Sequence, residues 1–312
     1  MSTFTADCLR LQAGLCDHPG DAAIALSAAA NIVEAQPEPD RRVLAELYYK
    51  TGLHQLAAGR YRQCIGSLET AIAIDDELSL EGRDVGLEPE ARRLLATAYL
   101  EFGDIRQADQ QLFAASCFVD RSSSDWGILW ARLLVANGHA RAAVELLEPM
   151  VAHIRGAKAS TISDRTASLT LGCAYRAASR FNDAKNRLLV TAALWQGSKS
   201  WARAVEEPPG LGLAHLELGR VYRAMELPRE AELHLREAQH ILSTRLGPRH
   251  PFVGQVLFER GSIARIADMK LAASRLMSQA LAIQESSLLP AHPDLAATRQ
   301  AADQFLAAVT FG

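Results

Sequence analysis

From Leu218 to Ala238 the chain reads LGRVYRAMELPREAELHLREA, with apolar or small residues at Leu218, Tyr222, Leu227, Ala231, Leu235 and Ala238. Spacings of three and four on either side of a break near Glu226 to Pro228 predict two successive helices, each with one apolar side. Neither helix buries that side alone, so the pattern requires copies elsewhere. Aligned on the small residue that opens the second helix, the copies fall at Cys64, Ala108, Ala143, Ala184, Ala231 and Ala273, with a weaker one at Ala22. The successive gaps are 42, 44, 35, 41, 47 and 42 residues. A helix pair with tight turns needs about 34 residues, so most units carry longer helices or longer loops.

Residues 4–36 read as a degenerate first repeat, with Leu11 and Ala13 in one helix, Ala22, Leu26 and Ala29 in the next, and the turn-like DHPGD at 17–21 between them. QPEPD at 36–40 stops it, and six clearer repeats occupy 43–283. Gly52 is small where paired helices should approach, Gly59 and Gly138 mark turns, and Pro149 predicts a kink or a shortened last turn. The polar stretch 81–88 reads as an exposed loop. WQGSKSWARAVEEPPG at 195–210 is an irregular insertion, in which Trp195 and Trp201 either seal neighbouring helices or form a lid or partner contact. LGPRHP at 246–251 answers LLPAHP at 288–293, and His250 and His292 stand 42 residues apart. Each motif predicts a stiff connection whose histidine caps or packs the loop. Residues 292–309 then predict one closing helix.

Composition supports an all-α array. Hydrophobic residues make up 49% and aromatic residues 6%, a balance that favours close packing of helices by small side chains. The 312 residues would ordinarily make two domains, but a repeat array grows in one dimension, so 1–312 is expected as a single superhelical domain. Net charge is −3, which gives no bulk reason to bind nucleic acid. Five cysteines, unevenly placed within the first 173 residues, point to a reduced, cytoplasmic protein. The opening MSTFTADCLRLQAG lacks a basic stretch followed by an apolar run, and no run is long enough for a membrane span.

LGRVYRAMELPREAELHLREA at 218–238, LGCAYRAASRFNDA at 171–184, AYLEFGDIRQA at 98–108 and the paired LGPRHP and LLPAHP loops together resemble the tetratricopeptide repeat (TPR). The last two full repeats are similar to the 42-residue kinesin-light-chain type, and the resemblance covers about 43–309. It implies a right-handed α-solenoid of antiparallel helix pairs whose first helices line a concave groove for peptides or partner helices. Departures are Cys64 in place of the usual alanine, Thr191 at a later alanine position, and Ala264 where the sixth repeat has Tyr222.

The implied register places Tyr49, Lys50, Arg93, Arg132, Arg176, Arg220, Arg223, Phe258 and Arg265 on the groove side. Guanidinium groups bind carboxylates bidentately, so recurring arginines predict an extended peptide or partner segment with acidic groups. The competing expectation is that these arginines pair with Glu217 and Glu259 of neighbouring repeats. A phosphate or nucleic-acid ligand has less support, because no basic run or glycine-rich phosphate loop accompanies them. No catalytic, metal or cofactor motif stands out, since Cys8, Cys16 and His18 lack a recognised ligand spacing. The expected role is a non-enzymatic interaction module or adaptor. A self-associating scaffold and a peptide-responsive regulator are the alternatives.

Overall fold

The computed structural model describes residues 2–16, 18–83, 85–116, 124–152, 154, 161–196 and 209–310. Among them are fifteen α-helices and no strand. They run α1 (Ser2–Leu15), α2 (Pro19–Glu34), α3 (Arg41–Ala57), α4 (Tyr61–Leu80), α5 (Glu88–Phe102), α6 (Ile105–Ala115), α7 (Ser124–Ala136) and α8 (Ala140–Val151). They continue as α9 (Ile162–Ala177), α10 (Phe181–Gln196), α11 (Gly210–Ala224), α12 (Pro228–Leu246), α13 (Pro251–Ile266), α14 (Lys270–Ser287) and α15 (Pro293–Thr310). The chain divides into two compact units, the first holding α1–α6 and the second α7–α15. Within each unit successive helices pair, α3 on α4 or α11 on α12 for example, and α15 closes the series against α14. This is the succession of helix pairs that the repeat pattern predicts.

The same chain reversal joins the two helices of six pairs. The N–H groups of Arg60, Asp104, His139, Arg180, Leu227 and Met269 each donate to the carbonyl five residues back, at 2.8–2.9 Å. That bond is the Schellman closure, and it requires a left-handed residue just before the donor. Gly59, Gly103 and Gly138 supply it in the first three turns, whereas Ser179, Glu226 and Asp268 adopt φ of 59°, 61° and 55° in the last three. The later turns therefore hold a strained backbone that the earlier ones avoid.

Packing explains the small residues of both helices. All seven alignment residues, Ala22, Cys64, Ala108, Ala143, Ala184, Ala231 and Ala273, are fully buried at 0% exposure. On the first helices, a Cβ added at Gly52, Gly172 or Gly219 would lie 2.5–2.7 Å from Leu68, Leu188 or Leu235. At Gly261 it would meet Met277 at 2.9 Å. The helix backbones approach so closely that a leucine from the second helix occupies the space of a side chain on the first. Ala96 and Ala131 hold the same register in their repeats and are also fully buried.

Several local expectations change. Helix α1 buries Ala6 and Ala13 but leaves Leu11 71% exposed, because Leu11 lies off the face shared with α2. The first connection is shorter than 17–21, since Pro19 already begins α2 and suits the first helical turn. Leu227 is a turn residue, not a core residue, and Tyr222 is only half-buried, stacked on His234 at 5.2 Å. The loop near 81–88 is tied down by Asp75, which is 2% exposed and accepts from the N–H groups of Val85, Leu87 and Glu88 at 2.7, 2.9 and 3.1 Å. Of the 195–210 stretch, Trp195 and Gln196 end α10 and Gly210 begins α11, while Trp201 lies outside the described residues. Trp195 is buried against Gly210 with Arg165 stacked on its ring at 4.6 Å, a helix seal.

The buried departures from the repeat pattern find partners. The Thr191 and Ser168 hydroxyls hydrogen-bond at 2.7 Å across α9 and α10, which satisfies a polar group at an alanine position. His250 and His292 use Nδ1 to accept from the N–H groups of Phe252 and Asp294, at 3.2 and 3.1 Å, and so cap α13 and α15.

Three substitutions test this account. Gly219→Ala should lower stability by about 1–2 kcal/mol in urea unfolding, because crowding against Leu235 outweighs the gain in helix propensity. Gly66→Ala, with nothing within 4 Å of its new Cβ, should instead raise stability. Glu226→Gly should raise stability by about 0.5–1 kcal/mol by relieving the left-handed strain, read as an upward shift of the urea midpoint.

Candidate functional site

First helices of successive repeats bring the same register positions side by side. Arg176 and Arg223 occupy one such position in the fifth and sixth repeats, and Glu217 and Glu259 occupy another, six residues before Arg223 and Arg265. In the second unit this register becomes an ion-pair ladder. Arg176 on α9 donates through Nε to Glu217 on α11 at 2.6 Å. Arg223 on α11 donates through Nε to Glu259 on α13 at 2.7 Å. Arg220 lies between the two carboxylates, giving Nη1 to Glu217 at 2.7 Å and Nε to Glu259 at 3.0 Å. Its Nη2 stands 3.8 Å from the Asp294 carboxylate of α15.

The acids at the centre of the ladder are deeply placed, with side chains of Glu217 and Glu259 only 9% and 5% exposed. Burial by itself would raise the Glu217 carboxyl, but Arg176 and Arg220 reverse that effect and hold it at about 2. Arg220 is also buried, yet Glu217, Asp294 and Glu259 outweigh desolvation and raise it above its ordinary value. Three guanidinium groups thus face three carboxylates, and the cluster is neutral in sum. Its contribution to repeat stacking lies in geometry as much as in energy, because burying charges costs much of what their attraction returns.

Beside the ladder is a cavity of about 240 Å³ lined by Arg176, Phe181, Arg220, Arg223, Ala224, Glu259 and Asp294. Arg176 and Arg223 engage their acids through Nε alone among the described residues. Their terminal nitrogens have no hydrogen-bond partner there, and both side chains remain partly exposed, at 29% and 37%. The arrangement offers planar donors beside an apolar wall, a chemistry suited to a carboxylate carried on a nonpolar stem.

The other groove candidates do not join this cluster. Tyr49 on α3 is half-buried, and its hydroxyl is raised by burial and then by Glu90. Lys50 is exposed with Glu46 3.9 Å away, and Arg93 on α5 pairs with Glu90 at 2.8 Å. These three belong to the first unit. Arg132 on α7 is half-buried and acts electrostatically on Cys173. Phe258 turns toward the core around Leu257 and Leu235, so Phe181 and not Phe258 supplies the aromatic wall. Arg265 is exposed at the end of α13, outside the cavity. Ala301 stands 42 residues after Glu259, so the register offers Arg265 no matching acid.

Phe181, which the repeat pattern marks only as a packing residue, and Asp294, in the closing helix, are the site residues that periodicity alone does not reveal. The thiols of Cys64 and Cys173 are both pushed up to about 12 by burial. Neither supplies a thiolate nucleophile at neutral pH. No helix among the described residues is long and apolar enough to cross a membrane.

No family model matches the chain, and no curated protein matches it. Solved structures do. A TPR protein from Parabacteroides merdae is similar at 13% identity and a TM-score of 0.54, over 97% of this chain and 99% of that one. A Rap protein complexed with competence and sporulation factor is similar at 12% identity and a TM-score of 0.59, over 98% and 86% of the two chains. The TPR-like repeats of a kinesin light chain from Podosopora anserina match at 25% identity and a TM-score of 0.42, over 63% and 95%. The fold is therefore that of TPR proteins.

Removing the central acid tests the ladder. Glu217→Gln should cost about 2–4 kcal/mol in urea unfolding, since it leaves two guanidinium groups without a full counter-charge. The carboxyl is held from 4.5 down to about 2 in the folded state. Its stabilisation is complete above the upper value and disappears as pH falls through the lower one. The wild-type loss of stability across that window should be shallower in Glu217→Gln.

Proposed function

We propose that this chain is a non-enzymatic protein-interaction module whose second unit anchors a carboxylate of a bound peptide or partner segment. The observation that carries the reading is the pair of partly exposed guanidinium groups, Arg176 and Arg223, which line a cavity of about 240 Å³ and whose terminal nitrogens have no hydrogen-bond partner among the described residues. Phe181 and Ala224 give that cavity an apolar side, which suits the stem of an acidic side chain or of a chain terminus. Arg220 serves as the buried pivot and not as a freely available contact. Arg132 and Arg265, in the same unit, are secondary contacts in this reading, whereas Tyr49, Lys50 and Arg93 of the first unit and the core-facing Phe258 have no part in it.

The likeness to the Rap protein complexed with competence and sporulation factor supports a ligand-accepting role, as a likeness of fold. A nucleic-acid ligand suits the site less well, because the acids offset the arginines and the whole chain carries −3. Adaptor activity fits the helix-pair architecture, and the odd, scattered cysteines fit a reduced, cytoplasmic setting.

Fluorescence anisotropy with two degenerate decapeptide pools, one with a fixed central Glu and one with a fixed central Gln, tests the anchor. The wild-type chain should prefer the Glu pool, and the double variant R176Q/R223Q should lose about tenfold in affinity for it, as expected for losing charge-assisted hydrogen bonds. Equal binding of the Glu pool by the wild type and the double variant would remove the pocket from consideration as the anchor. Capture of partners from native cell extract, followed by identification of the bound segment, then names the ligand.

A further inference from the structure

We propose that Asp294 is a built-in competitor for the carboxylate anchor, a side chain of the closing helix that holds the ligand's place beside Arg220. The inference rests on the anchor reading above and adds a residue that sets its affinity. Asp294 lines the same cavity as Arg176, Arg220 and Arg223. Its contact is the loosest of the ladder. Glu217 and Glu259 meet their arginines at 2.6–3.0 Å, within hydrogen-bond reach, whereas Asp294 stands 3.8 Å from Arg220 Nη2. Its side chain is 33% exposed, against 9% and 5% for the two glutamates.

Register separates Asp294 from the ladder as well. Glu217 and Glu259 share one repeat position, but the residue 42 positions before Asp294 is Phe252, so this acid belongs to the closing helix alone. Its backbone N–H is fixed by the His292 cap at 3.1 Å, and its carbonyl accepts from Thr298 Oγ1 at 2.8 Å. The carboxylate can therefore turn away without moving the helix, leaving Arg220 Nη2 with only a long hydrogen bond to Gln255 Oε1 at 3.4 Å to share with a ligand. Charge balance favours that exchange: three arginines already face three carboxylates, and a fourth enters without excess negative charge only if one withdraws. Asp294 is the one whose departure breaks no hydrogen bond to an arginine.

The test uses the full chain and the same Glu and Gln decapeptide pools. Asp294→Asn should tighten binding of the Glu pool about three- to fivefold, the effect of removing one partly exposed competing ion pair, and leave binding of the Gln pool unchanged. Asp294→Ser, which retains an acceptor in the first turn of α15, should do the same. Asp294→Glu keeps the competing charge and should stay near the wild type. Unchanged or weakened Glu-pool binding in both neutral variants overturns the competition. If the wild type prefers the Glu pool, R176Q/R223Q loses that preference and the Asp294 variants change nothing, the competition alone falls. If neither the wild type nor the Asp294 variants distinguish the pools, the carboxylate anchor falls with it.

Discussion

The close approach of a small residue on the first helix of a pair to a bulky side chain on the second is the constraint on which the rest of this protein depends. Gly52 with Leu68, Gly172 with Leu188, Gly219 with Leu235 and Gly261 with Met277 are repeated instances of one contact. A helix pair brought together at that distance excludes water from its inner face, and the fully buried alanines and Cys64 complete the seal. The Schellman closure in six of the pairs keeps the two helices in register for the contact. Because each pair must still cover its remaining apolar side, neighbouring pairs stack within each unit, and stability accumulates along it.

That packing has a chemical consequence. Once first helices follow one another at a constant register, residues separated by one repeat in sequence become neighbours in space. Arg176 meets Glu217 and Arg223 meets Glu259 for this reason, with Arg220 filling the interval between the acids. The ladder uses Nε of the outer arginines and leaves their terminal nitrogens at a cavity wall. The same guanidinium groups therefore hold the ion-pair network together and line the cavity, so the carboxylate anchor proposed above would couple ligand affinity to repeat stacking.

Elsewhere the chain handles buried polarity locally. Asp75 gathers three backbone N–H groups of the loop behind α4, and Thr191 pairs with Ser168 where most repeats place an alanine. His250 and His292 close the N-termini of α13 and α15. Each device satisfies a group that the apolar repeat pattern would otherwise leave without a partner.

Periodicity made the helix pairs, the buried alanines, the close-approach glycines and the closing helix legible from sequence alone, because they follow from short-range spacing on a 3.6-residue helix. It also placed Arg176, Arg220 and Arg223 on one face and named Glu217 and Glu259 as possible partners. It did not separate those arginines from Arg265, which shares a repeat position with Arg223 and has the same residue type, nor did it show that Phe181 rather than Phe258 would wall the cavity. Leu11 and Leu227 matched the apolar spacing and are nonetheless exposed, since spacing defines a face without stating how far a neighbour covers it. Only the tertiary structure decided which arginine is a buried pivot, which ones engage their acids through Nε alone among the described residues, and that Asp294 reaches the pocket from another helix. Those properties depend on distances between groups 36 to 118 residues apart, from Arg223 to Glu259 and from Arg176 to Asp294. Stacking of whole helices sets such distances, and no local pattern encodes them.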